Sequence, residues 1–376
     1  MDLPVMPPVA PMLATATASI EALPQGDYLF EPKWDGFRAI VFRDGDEVEI
    51  ASRGEKSLTR YFPELVDALR LGLPSRCVLD GEVVVIAGLP GAQRLDWDLL
   101  AQRIHPAESR IALLAGQTPA SFIAFDLLAD ERTSFLDEPF DRRRQRLEEL
   151  FEQRVAERAN EVPATASGQS GEPTQPAPGQ LRSRIELSRV SRDAQVAKEW
   201  FSRFEGAGLD GIVAKPVGGR YQPGKRVLRK IKHHRTAEAV VIGYRIHKSG
   251  SGVGSLLLGL YSDDGTLLPV GGASAFTAAR RLELVDELDG YVERDAEGAA
   301  VRAQGQSNRF NSSRDNSFVQ LRPELVVEVA FDQLEKHRFR HAVRLLRMRP
   351  DREAASCTYD QVERAADYDF GEVLES

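Results

Sequence analysis

β-Branched and aromatic residues cluster early in the chain, in 28–31, 38–43, 48–52, 77–87 and 121–127, and these runs predict strands. The stretches 63–71 and 139–158 read as helices, the second with Leu147, Leu150, Phe151 and Arg154 at helical spacing. From about 160 to 183 the chain is rich in Pro, Ser, Thr, Gly and Ala and has no periodicity, which reads as a flexible surface insertion. A strand at 185–190, a helix at 193–206, a strand at 209–215 and another from about 227 follow. Beyond Arg235 the texture changes to short strands separated by Gly-containing turns, at 239–244, 255–261 and 266–271. A helix at 277–288 and strands at 324–331 and 343–348 complete the pattern of a small five-stranded barrel with one helix. This predicts two domains, 1–235 and 236–376, with no internal repeats.

Composition changes this picture little. With 376 residues, 42% apolar and 28% charged, the chain has material for real cores. Its net charge of −8 is mildly unfavourable for a partner rich in phosphate, but the distribution matters more than the sum. Between Arg220 and Arg235 there are seven Lys or Arg and no acid, and between Lys336 and Arg352 seven bases face only Asp351. From Gln361 onward five acids meet one base, an acidic tail to the second domain. Either basic run could line a groove or be a solvated face. Two cysteines, Cys77 and Cys357, support neither a zinc site nor a disulfide framework and fit a reducing cytoplasm. The start, Met1-Asp2-Leu3-Pro4, is not that of a signal peptide, and no apolar run is long enough to span a bilayer.

The chemistry centres on Phe30-Glu31-Pro32-Lys33-Trp34-Asp35-Gly36-Phe37-Arg38. A lysine held among fixed charges can lose its proton and become a nucleophile. The glycine lets the backbone approach a ligand, and Arg38 offers a permanent fork for phosphate. Cys77-Val78-Leu79-Asp80-Gly81-Glu82 puts two acids in an apolar run, where Glu82 could hold a divalent cation or pair an arginine. Phe125 in the 121–127 run could stack on a base or fill a core, and Asp126 could meet a cation or a lysine. Asp210 and Lys215 lie five apart, on opposite strand faces unless twist or a bulge near Gly211 re-aims one. Lys230 and Lys232 share a face, which suits a polyphosphate or an exposed basic edge. Arg349 and Arg352 suit a pyrophosphate or a DNA backbone, or a solvated turn. The near P-loop Gly219–Arg226 lacks the final hydroxyl and the following helix, and the glycines of 250–254 lack dinucleotide-fingerprint spacing.

In order, these segments resemble the motif series of the covalent nucleotidyltransferases, which include DNA ligases, RNA ligases and capping enzymes. Lys33–Arg38, Ser52-Arg53, Asp80-Gly81-Glu82, Phe125-Asp126, Asp210–Lys215, Lys230–Lys232 and Arg349–Arg352 carry the likeness. The wording Phe-Glu-Pro-Lys-x-Asp-Gly, Pro11-Met12-Leu13-Ala14, Arg338–His341 and Cys357-Thr358-Tyr359 is closest to bacterial ATP-dependent DNA ligases of the short actinobacterial ligase C type.

The resemblance implies an α+β adenylation domain of antiparallel sheets with flanking helices, then an OB-fold barrel. It implies that Lys33 attacks the α-phosphorus of ATP, passes AMP to the 5′-phosphate of nicked double-stranded DNA, and that the 3′-hydroxyl then seals the nick. It gives Phe125 and Glu31 to adenine, and Arg38 and Arg53 to AMP and the nick phosphate. Lys215, Lys230 and Lys232, with Mg²⁺ or Mn²⁺ held by Glu82 and Asp210, are expected to lower the Lys33 pKa and hold the phosphates. Arg349 and Arg352 are expected over the leaving pyrophosphate. A monomer in the cytoplasm, at the nucleoid, acting in repair with a Ku-like protein or a repair polymerase, is the expected setting, with no membrane. Two features depart from the pattern: Asp210 stands where many ligases have Glu, and Arg352 where Lys is common. The runner-up is an RNA ligase or a GTP-using capping enzyme, whose fourth motif is close to Asp-Gly-Ile-Val. NAD as donor is disfavoured, because the chain has no four-cysteine zinc module and no further N-terminal domain.

Overall fold

The computed structural model describes residues 1–89, 91–160, 184–233, 235–305, 316–332, 334–335, 337–362 and 368–374. The proposed flexible insertion lies almost wholly outside them. The chain forms two units, Met1–Lys232 together with Ala365–Ser376, and His233–Arg364. The division lies between Lys232 and His233, against 235/236 read from the sequence. The described part of the acidic tail belongs to the first unit, not the second, because Phe370 and Val373 bury their side chains there.

The first unit contains two sheets. In the larger, the strands run in the order Glu47–Ser52, Phe37–Asp44, Arg76–Ala87, Ala120–Asp130 and Thr133–Ser134, all antiparallel. Ile185–Leu187 adds to Ala120–Asp130 in parallel. Period-two alternation sorts the side chains: Ala39 and Val41 pack with Leu65, Leu69, Leu147 and Leu150 of helices Pro63–Gly72 and Phe140–Asn160. Ile40 and Phe42 face the other way, toward Met12, Tyr221 and Leu228. Arg38, opposite Glu82 in the ladder, and Asp80, opposite Ile40, share that second face.

Two bulges break the pairing of Arg76–Ala87 with Ala120–Asp130. At one of them Asp80 faces Asp126 and Gly81 faces Ala124, leaving Phe125 as the extra residue and re-aiming its side chain. Gly81 permits the crowding, since a Cβ there would lie 2.3 Å from the Phe122 ring.

The smaller sheet has the order Leu13–Ala16, Arg226–Ile231, Ile212–Pro216, Tyr28–Pro32. Its first pair is parallel, joining residues some two hundred positions apart in sequence. The expected elements are present with ends shifted by a few residues. Leu13–Ala16 and the short helices Trp97–Gln102 and Glu108–Gln117 had no strong sequence signal.

The second unit is built on Arg235–Ile246, Val253–Tyr261, Leu267–Ala273, Val326–Phe331 and Arg344–Met348. A parallel bridge between Ala273 and Val343 closes the round, giving the expected five-stranded barrel. Two short strands, Arg302–Gln304 and Ser317–Gln320, extend the sheet. The helix Ala278–Asp289 is capped by Thr277, whose hydroxyl accepts from the Arg280 N–H.

Candidate active site

Lys33 follows the strand Tyr28–Pro32 and is held by its backbone at both ends. Its N–H donates to Gly211 O at 2.8 Å, and its carbonyl accepts from Asp210 N–H at 3.1 Å. Its Nζ lies 2.7 Å from Asp210 Oδ2, and Lys232 Nζ reaches the same oxygen at 2.7 Å. Burial alone would raise the Asp210 carboxyl; the two lysines outweigh it and hold the group below the usual range.

Gly211 explains how Asp210 and Lys215 serve one place. Its φ is +123°, and a Cβ would lie 2.1 Å from Ile231 O. Asp210 therefore precedes the strand Ile212–Pro216 and turns toward Lys33, while Lys215 stays within the strand. The re-aiming that a shared site requires falls at Gly211, through its left-handed φ rather than a bulge in the ladder. Gly36 plays a different part from the one expected. Its missing side chain makes room for Val83 O, 2.2 Å from where a Cβ would be, rather than for a ligand.

A cavity of about 240 Å³ opens beside Lys33 on this unit. Arg38, Arg53, Lys215, Lys230 and Lys232 line it with Lys33. Glu31, Glu82 and Phe125 of the predicted set line it too, whereas Asp210, Arg349 and Arg352 do not. Asp210 is in ion-pair contact with two of the lining lysines.

Lys215, 2% exposed, is the most deeply buried of these cations. Its Nζ bonds Glu31 Oε2 at 2.9 Å and Phe125 O at 2.9 Å. Burial pushes the Lys215 ammonium down and the Glu31 carboxyl up, against their mutual attraction. Glu31 Oε1 is buried with no hydrogen-bond partner in the protein, an acceptor open to a ligand. The Phe125 ring is already touched by cations: Arg38 Cζ lies 4.3 Å and Lys215 Nζ 4.6 Å from its centroid. Asp126 does not line the cavity; the cation it meets is Arg143, which grips both its oxygens at 2.8 and 3.0 Å.

Arg38 forms a fork on Asp80, at 2.6 and 2.7 Å, which preserves its charge despite burial. The Tyr221 hydroxyl donates to Asp80 Oδ2 at 2.6 Å. Asp80, not Glu82, is thus the strand acid that pairs an arginine. Sequence reading missed this role, although period two places Asp80 on the Arg38 face. Tyr221 sits inside the P-loop decoy and carried no signal.

Glu82 accepts from Gly36 N–H at 3.2 Å. Burial, opposed by Arg38 and Lys33, pushes its carboxyl up to about 7. Burial and the neighbouring Lys232 and Lys33 push the Lys230 ammonium down. Arg53 is exposed, and its N–H donates to Arg38 O at 3.1 Å.

Arg349 and Arg352 belong to the second unit and follow its strand Arg344–Met348. Arg349 is occupied by Asp351, at 2.9 and 2.8 Å, and by Glu238. The Arg352 N–H donates to Arg349 O at 3.1 Å, and its side chain is exposed.

Among the described residues no group of three or more His, Cys, Asp or Glu is arranged to hold a metal ion. Glu82 nevertheless fits a divalent cation whose remaining ligands come from phosphates, as is usual for magnesium. Its half-buried carboxyl lacks a full counter-charge, which a cation would provide. Asp210 fits less directly, because its Oδ2 is taken by two ammonium groups.

The description "ATP dependent DNA ligase domain" matches residues 11–232, and "ATP dependent DNA ligase C terminal region" matches 249–352. DNA ligase C1 of Mycolicibacterium smegmatis is 50% identical over 382 residues, covering 100% of this chain and 99% of that protein. DNA ligase C of Mycobacterium tuberculosis is 47% identical over 385 residues, covering 100% and 99%. A solved structure of a Lig E DNA ligase covers 91% of this chain and 100% of its own, with a TM-score of 0.51 at 16% identity, a likeness of fold alone.

Proposed function

Since this chain belongs to the ATP-dependent DNA ligase family, we propose that it seals 5′-phosphate/3′-hydroxyl nicks in duplex DNA through an AMP carried on Lys33. The observation that carries this is the placement of Lys33 Nζ, 2.7 Å from Asp210 Oδ2, in a cavity lined by six other cationic side chains.

The residues divide the work. Asp210 Oδ2 orients Lys33 Nζ, which gives up a proton to water and attacks the α-phosphorus with its lone pair; the bond to the β,γ-pyrophosphate breaks and the pyrophosphate leaves with its electron pair. Lys230, Lys232 and Arg38 hold the phosphate oxygens, where fixed charge in a partly dry site counts most. Glu31 Oε1 would accept from the 6-amino group of adenine, where guanine carries an oxygen, which favours adenine over guanine. Phe125 packs against the base, sharing its ring with Arg38. Arg53, at the rim, holds the 5′-phosphate of the nick. Glu82, with Asp210 as its neighbour across Lys33, would hold a divalent cation, which supplies positive charge at the α-phosphate when bound. Arg349 and Arg352 are assigned to the pyrophosphate on family likeness. The 5′-phosphate then displaces Lys33 from AMP, and the 3′-hydroxyl displaces AMP. The repair setting, a Ku-like or polymerase partner, a monomeric state and action at the nucleoid within the cytoplasm belong to the same proposal and rest on likeness alone. Among the described residues no helix is long and apolar enough to cross a membrane.

Incubation with ATP labelled at the α-phosphate tests the proposal. Wild type is expected to acquire an acid-labile label and to seal nicked DNA. Lys33→Ala should do neither yet still bind DNA. Labelling that survives in Lys33→Ala, or labelling by GTP with sealing of RNA alone, would overturn the reading.

A further inference from the structure

The described end of the chain returns from beyond the second unit to the back of the nucleophile turn. Phe370, 2% exposed, packs edge-on against Trp34, the residue after Lys33, with ring centroids 6.0 Å apart. Trp34 is itself buried, and its Nε1 donates to Ser188 Oγ at 2.8 Å. The returning segment is fastened along its length. Phe370 N–H donates to Gln93 O at 2.7 Å, and Asp369 Oδ1 accepts from Gln93 N–H at 2.7 Å. Arg189 Nη1 donates to the carbonyls of Glu372 and Val373 at 3.2 and 3.3 Å. Tyr368 rests on Phe204, with centroids 5.6 Å apart, and Val373 is fully buried.

The turn that presents Lys33 is therefore braced from two directions. Gly211 and Asp210 hold the backbone of Lys33 from one side. Ser188 and Phe370 hold the side chain of Trp34 from the other. Adjacent residues share a peptide plane, so a backbone shift that lets Trp34 settle into space vacated by Phe370 would move Lys33 as well.

The geometry points to the segment Tyr368–Leu374 as a positioning element for the nucleophile, with Phe370 acting through Trp34 on the aim of Lys33. None of its residues lines the cavity. This rests on the ligase reading for the identity of the reaction, but the contact itself does not. Of the acids in this segment, Asp369 takes part through its bond from Gln93 N–H; the other working groups are an aromatic ring, a valine and backbone carbonyls.

Phe370→Ala and Phe370→Leu in the full chain test it, with the single-turnover rate of Lys33 adenylation followed against ATP concentration. Because misplacement of a reacting group by about 1 Å can cost up to about 100-fold, Phe370→Ala is expected to lower the maximal rate at least about 10-fold per folded molecule. The half-saturating ATP concentration should stay within about threefold, since the ATP contacts are untouched. Phe370→Leu, which refills the space, should recover most of the rate. Should Phe370→Ala fail to fold, Asp369→Ala gives the milder form, removing the Gln93 bond while leaving both rings; a fall in maximal rate in the same direction is expected. Unchanged maximal rates per folded molecule in the variants, or a loss confined to ATP affinity, would overturn the proposal. Wild type that takes no label from ATP would instead defeat the ligase reading, so the two failures are told apart.

Discussion

The Tyr221 hydroxyl lies 2.6 Å from Asp80 Oδ2, on a carboxylate whose two oxygens already hold Arg38. Removing the hydroxyl leaves a buried acceptor short of one bond. Tyr221→Phe is expected to cost about 1–3 kcal/mol of stability. Asp80→Asn, which strands the Arg38 charge, should cost more, about 3–5 kcal/mol. Urea unfolding of both variants measures the order, and a Tyr221→Phe loss equal to that of Asp80→Asn would contradict it.

Lys215 and Glu31 form a buried pair 2.9 Å apart. Lys215→Met alone leaves a buried carboxylate, and a destabilisation of about 3–5 kcal/mol is expected. Combining it with Glu31→Leu should return much of the stability, because no charge remains to be desolvated. Adenylation should stay lost in the double variant. Thermal melts and ATP labelling, run side by side, separate the two effects.

Glu82 gives stability a pH dependence whose sign is fixed by its burial. Its carboxyl stands at about 7 in the fold against a reference of 4.5. The folded state therefore binds the extra proton, and the contribution of Glu82 to stability is full below 4.5 and lost as pH rises through about 7. The loss is on the order of 3 kcal/mol at most. Glu82→Gln cannot ionise, so its stability relative to wild type should improve between about pH 4.5 and about pH 8. Equal slopes for the two proteins in that window would refute the assignment.

Burial pushes the Cys77 thiol up to about 12, and its side chain is inaccessible. The thiolate is the reactive form. Cys77 should resist iodoacetamide in native protein at mildly alkaline pH and react once the protein is unfolded in urea. Mass spectrometry of the peptide reads the outcome.

Much of the cavity was legible because strand periodicity and a short motif point the same way. Lys33, Arg38, Glu82, Lys215, Lys230 and Lys232 all come together. Three kinds of feature were hidden. The bulge that turns Phe125 inward depends on pairing with another strand, which no local pattern records. Asp80 and Tyr221 meet across 141 positions, and their bond is visible only once both sheets are in place. The return of Phe370 runs against composition, since the acids around it read as a solvated tail. Its apolar anchors are few and too widely spaced to announce a docking segment.

The parallel pairing of Leu13–Ala16 with Arg226–Ile231 also bears on how the protein is made. A ribosome delivers the first of these strands long before its neighbour exists. The cavity draws on residues from Pro11 to Lys232, so a nascent chain cannot complete it until that whole stretch has emerged. Such distant pairings are slow to form, and the early strand must wait, exposed, for its partner. Capture of nucleotide by an unfinished polypeptide is thereby deferred until synthesis of the catalytic half is over.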